Sequence, residues 1–231
     1  MNPYHYLRSF LHLFFPDLCV VCRQALMEDE TYFCLDCSLS LPETNYHLIP
    51  DDNPATDRFA GKIPVTKACS YLYYNKDGVA PKIIAEIKYR GNPDLGYRMG
   101  SIYAKTLSNS TFFDGIDCII PIPLHPSKQW KRGFNQTERI AAGISQASEI
   151  PLRKTILYRV KANTTQTRKN LYERWLNTQD IFIVKNQEEL QGKHILLIDD
   201  VLTTGSTLEA AAEALLKTKN LRISILTLAI A

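Results

Sequence analysis

The run HILLIDDVLTTGSTLEAAAEALLK, His194 to Lys217, leaves a chain few ways to fold. Ile195 to Ile198 is a short unbroken apolar stretch, the pattern of a strand covered on both faces in a parallel sheet. Asp199 and Asp200 follow at its carboxyl end, where open α/β sheets bind their ligands. Thr203, Thr204, Gly205, Ser206 and Thr207 come next, all small or hydroxylated, so backbone N–H groups can close around a phosphate and hydroxyls can add donors. Leu208, Ala211, Ala212, Leu215 and Leu216 then form the apolar stripe of a helix, with Ser206 and Glu209 at capping-box spacing. An anion in the turn would meet the positive end of that helix dipole, about 0.3–1 kcal/mol at an exposed site. Neither G-x-x-x-x-G-K nor G-x-G-x-x-G is present, which excludes a Walker loop and a dinucleotide turn. The plain alternative is an ordinary βα turn with two solvated aspartates.

Four cysteines near the amino terminus, Cys19, Cys22, Cys34 and Cys37, are spaced C-x2-C-x11-C-x2-C. Two thiolate knuckles of this kind match a tetrahedral structural Zn2+ site, and so short a segment has too little apolar area to hold a fold unaided. Redox chemistry of the thioredoxin kind is the alternative for a C-x-x-C pair, but neither pair opens a helix after a strand. Cys69 and Cys118 lie in apolar, strand-like runs and read as buried free thiols.

Ahead of the cysteines, Leu7, Phe10, Leu11, Phe14 and Phe15 fall at helical spacing before Pro16, an amphipathic helix that either docks on the rest of the chain or meets a membrane surface. No run of 18 apolar residues occurs in the 231, and the amino terminus makes a poor secretory signal, so no membrane span and a cytoplasmic location are expected. Net charge is only +3, but eleven Lys or Arg against three Glu fall between Pro121 and Asn177. A block of this kind suits a polyanion, or else it is a set of solvated faces.

In chain order, residues 1–45 read as helix plus cysteine module, 46–64, rich in proline and Asp, as a linker, and 65–231 as one α/β domain. Strands are expected near 69, at 118–122, 181–184, 195–198 and 223–228, about five in a parallel sheet interleaved with helices. PKIIAEIKYRG reads as a helix with Gly91 past its end, and Leu95, Met99, Ile102, Tyr103 and Leu107 as the stripe of another. Lys88, Tyr89 and Arg90 at the close of the first are a solvated last turn or an anion contact. After the strand at 118, Pro121 and Pro123 lead into a polar loop carrying Lys128, Lys131, Arg132 and Gly133, with a helix from about Asn135.

The order strand, two acids, T-T-G-x-T resembles the phosphoribosyl-pyrophosphate (PRPP) motif of type I phosphoribosyltransferases. That likeness implies Asp199 and Asp200 on the ribose hydroxyls, Thr203 to Thr207 on the 5′-phosphate, and Lys128, Lys131, Arg132 and Gly133 around the pyrophosphate with Mg2+. With the four cysteines, I-K-Y-R-G at 87–91, P-I-P-L at 121–124, R-G-F-N-Q at 132–136 and T-Q-T-R-x-x-L-x-x-R-x-x-N at 165–177, the chain resembles the ComF (ComFC/GntX-like) family along nearly its whole length. The resemblance implies a mobile active-site loop at 161–177 with Gln166, Arg168, Arg174 and Asn177 as contacts, against an exposed flexible loop as the plain reading. It further implies a phosphoribosyltransferase-type protein linked to DNA uptake in natural competence, in which a nitrogen nucleophile would displace pyrophosphate. No residue identifies the acceptor base. The alternative is a non-catalytic accessory that binds single-stranded DNA beside a helicase-like competence protein, with Trp130, Phe134, Tyr172 and Trp175 stacking bases or simply packing.

Overall fold

A computed structural model describes residues 15–160 and 181–231. The amphipathic stripe before residue 15 and the loop contacts expected at Gln166, Arg168, Arg174 and Asn177 lie outside the described residues, as do Tyr172 and Trp175.

The elements run α1 (Leu35–Leu39), α2 (Pro54–Asp57), β1 (Ala68–Tyr73), α3 (Val79–Tyr89), α4 (Pro93–Leu107), β2 (Cys118–Pro121), α5 (Pro126–Arg132), α6 (Gln136–Ser148), β3 (Leu157–Arg159), β4 (Phe182–Val184), β5 (His194–Leu202), α7 (Ser206–Leu215) and β6 (Arg222–Ile230). Four strands form a parallel sheet in the order β1-β6-β5-β2. The expected strand at 181–184 exists but is not the fifth of that sheet, since β4 pairs antiparallel with β3 in a separate two-stranded ribbon. Pro121 is accommodated because β2 is an edge strand, and the next residue still donates its N–H to Ile198 O at 2.8 Å.

Both faces of β5 are covered, as its unbroken apolar run requires. Leu196 and Ile198 join the side chains of α3, α4 and α6 in one cluster, which also takes in Val20, Val21, Leu26 and Phe33 of the cysteine module. Ile195 and Leu197 join α7, the β3–β4 ribbon and Ala55, Phe59 and Ile63 in the other. The last three lie within 46–64, so that stretch is packed against the sheet. Asn53 accepts from Ala55 N–H to cap α2 and anchors it to Ala68 O, and Phe59 is fully buried.

Helices α4 and α6 approach closely enough that glycine is required on both. A Cβ on Gly100 would fall well inside contact of Ile140 O, and one on Gly143 well inside contact of Tyr97 O. Ser101 Oγ bridges the same crossing by donating to Gly143 O at 3.2 Å. Gly143→Ala pushes backbone against backbone, so it is expected to destabilise the fold by about 1–3 kcal/mol or more, read as a lower midpoint in urea at unchanged slope.

Candidate ligand seat at the end of the central strand

Backbone pairing carries β5 beyond its apolar residues. Asp199 is in register with Thr227 and Val201 with Ala229, so the two acids lie inside the strand's second half and not beyond its end. Successive side chains therefore point to opposite faces. Asp200, buried, turns toward α3 and α6, where its Oδ2 accepts from Lys88 Nζ at 2.9 Å and from Gln136 Nε2 at 2.6 Å. The amide oxygen of Gln136 in turn accepts from Arg132, whose guanidinium lies 5.5 Å from the centre of the Tyr89 ring. Lys88 is thus tied to an acid of the strand and is not a solvated last-turn cation.

Asp199 is half-buried. Its Oδ1 accepts from the Asp200 N–H at 2.8 Å and from the Thr137 hydroxyl at 3.5 Å. Loss of solvation, and then the neighbouring Asp200 carboxylate, push its pKa up to about 7, while Lys88 and Arg159 pull the other way. Arg159, on the short ribbon, packs 5.5 Å over the Phe182 ring, and its Nε has no hydrogen-bond partner among the described residues. Burial lowers its pKa and the charge of Asp199 opposes that. Gln136, Thr137 and Arg159 were not singled out from sequence. Only R-G-F-N-Q hinted at the first, because an amide contributes no charge or period to read.

The turn after β5 is built around Gly205, at φ +83°, where a Cβ would also stand 3.2 Å from Phe59. Thr203, Thr204 and Ser206 are exposed and Thr207 is half-buried. The expected capping box does not form. Gly205 is the residue before α7, the Thr204 hydroxyl accepts from Ser206 N–H at 3.4 Å, and Glu209 is taken by Lys62 Nζ at 2.6 Å. Thr204 takes the Ser206 N–H, but Gly205 at the N-cap has no side chain to cover the rest of the first turn, which leaves that turn open to an anion.

The basic stretch expected as a loop is the helix α5, ended by Gly133 at φ +83°. Lys128 and Lys131 are exposed on it, and Trp130 is 89% exposed.

The four cysteines converge, their Sγ atoms all within 4.8 Å of one another. Cys19 and Cys22 flank a turn in which Arg23 N–H donates to Cys19 O at 3.0 Å, while Cys34 precedes α1 and Cys37 lies on it. Burial opposes ionisation of Cys19, but backbone N–H groups of Cys22, Cys34 and Val21 bring its pKa down to about 6. Burial and the neighbouring thiols push Cys37 up. Four clustered thiols that cannot all ionise without a counter-charge are the donor set of a structural zinc site.

Sequence comparison matches the phosphoribosyl transferase domain family over residues 127–230. Competence protein ComFC of Bacillus subtilis is 30% identical over 94% of this chain and 87% of its own. The DNA utilization protein YhgH of Escherichia coli K12 is 26% identical over 87% of this chain and 84% of its own. Among solved structures, the B. subtilis glutamine PRPP amidotransferase complexed with ADP and GMP aligns at a TM-score of 0.43 and 14% identity, over 62% of this chain and 30% of that one. No helix among the described residues is long and apolar enough to cross a membrane.

Asp199 holds its proton more tightly folded, at about 7, than its ordinary 3.8. Its contribution to stability is therefore largest below pH 3.8 and is lost as pH rises through 7. Asp199→Asn is expected to flatten that fall, seen as a thermal midpoint that declines less from acid to neutral pH than in the wild type.

Proposed function

This chain belongs to the ComF family, and from that premise we propose that it is a PRPP-binding protein of phosphoribosyltransferase type whose role is in DNA uptake. The observation that carries the reading is the meeting of two acids with an uncapped helix N-terminus at one strand end. A ribose diol suits adjacent carboxylates, which accept hydrogen bonds from hydroxyls, and a 5′-phosphate suits Thr203 to Thr207, where N–H and O–H donors meet the helix dipole. Arg132 and the exposed Lys128 and Lys131 supply the charge a pyrophosphate needs, with Gly133 as the backbone turn beside them.

Asp199 and Asp200 offer oxygen donors of the type Mg2+ takes, and the ion would supply counter-charge to pyrophosphate. The chain's own part is positioning and charge balance: Gln136 holds Asp200 in place, and Lys88 neutralises it while the seat waits for ligand. Transfer to a nitrogen acceptor is the reaction the family resemblance implies, and the acceptor is identified by screening bases for pyrophosphate release.

Calorimetry with PRPP·Mg tests the reading. The wild type is expected to bind, and Asp199→Asn/Asp200→Asn to lose at least about 2 kcal/mol of affinity, some thirtyfold, with the fold intact by circular dichroism. Equal affinities in the two proteins would refute the ribose assignment.

A second reading is favoured by the exposed aromatics among cations, Trp130 at 89% and Tyr89 at 77% beside Lys128, Lys131 and Arg132. These form a surface on which single-stranded DNA could stack its bases and lay its backbone, in company with a helicase-like partner. On that reading oligonucleotide affinity falls steeply with salt, and Trp130→Ala weakens it by about 1–3 kcal/mol in a fluorescence titration; a flat salt response counts against it.

A further inference from the structure

Lys82 and Glu86 of α3, and Arg90 just past its last residue, stand four residues apart and so share one stripe of that helix and its end. The cysteine module grips this stripe. Lys82 Nζ donates to Val21 O at 3.1 Å, and Arg23 Nη2 meets Glu86 Oε2 at 3.3 Å. The same carboxylate oxygen takes Arg90 at 3.2 Å, so Glu86 is clamped between the module and the helix's own end. Val20 and Val21 belong to the same apolar cluster as Ile83, Ile84 and Ile87, which closes the joint.

Lys88 leaves the helix on another side. Two residues on from Glu86 it is rotated by about 200°, nearly opposite, and that side is where it reaches Asp200. A polar clamp on one side of the last turn therefore decides where a charged tip on the other side arrives. Lys88 has a long, flexible stem, so its arrival at 2.9 Å from Asp200 depends on how the turn beneath it is set.

We propose that Glu86 is a positioning residue for the ligand seat: by joining Arg23 of the cysteine module to the last turn of α3, it sets Lys88 over Asp200, so the module tunes the seat without touching it. This rests on the PRPP reading for its affinity arm alone.

The test uses Glu86→Ala, a helix-favouring replacement at a side chain 14% exposed, and Arg23→Gln as the second variant, both in the full, metal-loaded chain. Each is expected to lower PRPP·Mg affinity about two- to fivefold, the scale of a surface ion pair, with zinc content and far-UV circular dichroism unchanged. In a Lys88→Met background Glu86→Ala is expected to have no further effect; an undiminished effect there would overturn the proposal.

A second measurement is independent of PRPP. Crystal structures of the unliganded wild type and of Glu86→Ala are compared at the Lys88 Nζ–Asp200 Oδ2 contact, 2.9 Å in the wild type. Loss of that contact in Glu86→Ala supports the proposal, and its retention overturns it. Should wild-type protein fail to bind PRPP at all, the proposed function fails while this comparison still decides whether Glu86 positions Lys88.

Discussion

Two carboxylates on consecutive residues of one strand set the problem that the rest of the molecule answers. Like charges on neighbouring residues repel, and burial adds to the cost. Each carboxylate finds a different remedy, although consecutive residues of α6, Gln136 and Thr137, contribute to both. Asp200 receives an ammonium from α3 and an amide from α6. Asp199 receives one backbone N–H and a hydroxyl, with Arg159 at a distance, and rests close to neutrality in its proton affinity. The glycines at the α4–α6 crossing belong to the same arrangement. They seat α6 deeply, and Gln136, its first residue, is thereby brought onto the acid.

The opposite face shows why the turn and the acids can act together. Phe59 lies under Gly205, and Lys62, three residues on, takes Glu209 of α7. A segment with the composition of a linker forms the floor of the turn after β5. It also holds Glu209, the carboxylate a capping box would have used, and the Ser206 N–H that carboxylate would have taken goes to Thr204 instead.

The strand, turn and helix of residues 194–215 were legible because each is written locally: an apolar run, a glycine that tolerates positive φ, and an apolar stripe at helical period. The extension of β5 through Asp199 and Asp200 was not, because it depends on β6 offering backbone partners as far as Ala229 and Ile230, and hydropathy carries no record of that. Val184 and its neighbours were recognisable as a strand but not as a partner of β3, since pairing is a long-range choice. Ala55, Phe59 and Ile63 do recur at intervals of four, a signal masked by the prolines and aspartates among them. Gln136 and Lys88 could be assigned to Asp200 only with coordinates, for an amide or a lysine on a helix has many equally good partners in a sequence.

The cations near the seat fall into two groups with different consequences. Lys88 and Arg132 are already engaged, by Asp200 and by Gln136 and Tyr89, so a ligand that reaches them must exchange one set of contacts for another. Exchange makes the net gain small for a bare anion and larger for one whose sugar hydroxyls can also satisfy the carboxylate that Lys88 leaves. On the PRPP reading proposed above, that asymmetry favours a phosphorylated sugar over phosphate alone, because only the sugar completes both halves of the trade. Lys128 and Lys131, exposed on α5, have no acceptor to surrender among the described residues and act at range, raising the local concentration of any polyanion with a strength that falls as salt rises. Attraction and discrimination thus reside in different side chains, one set on an open helix and the other locked to the strand.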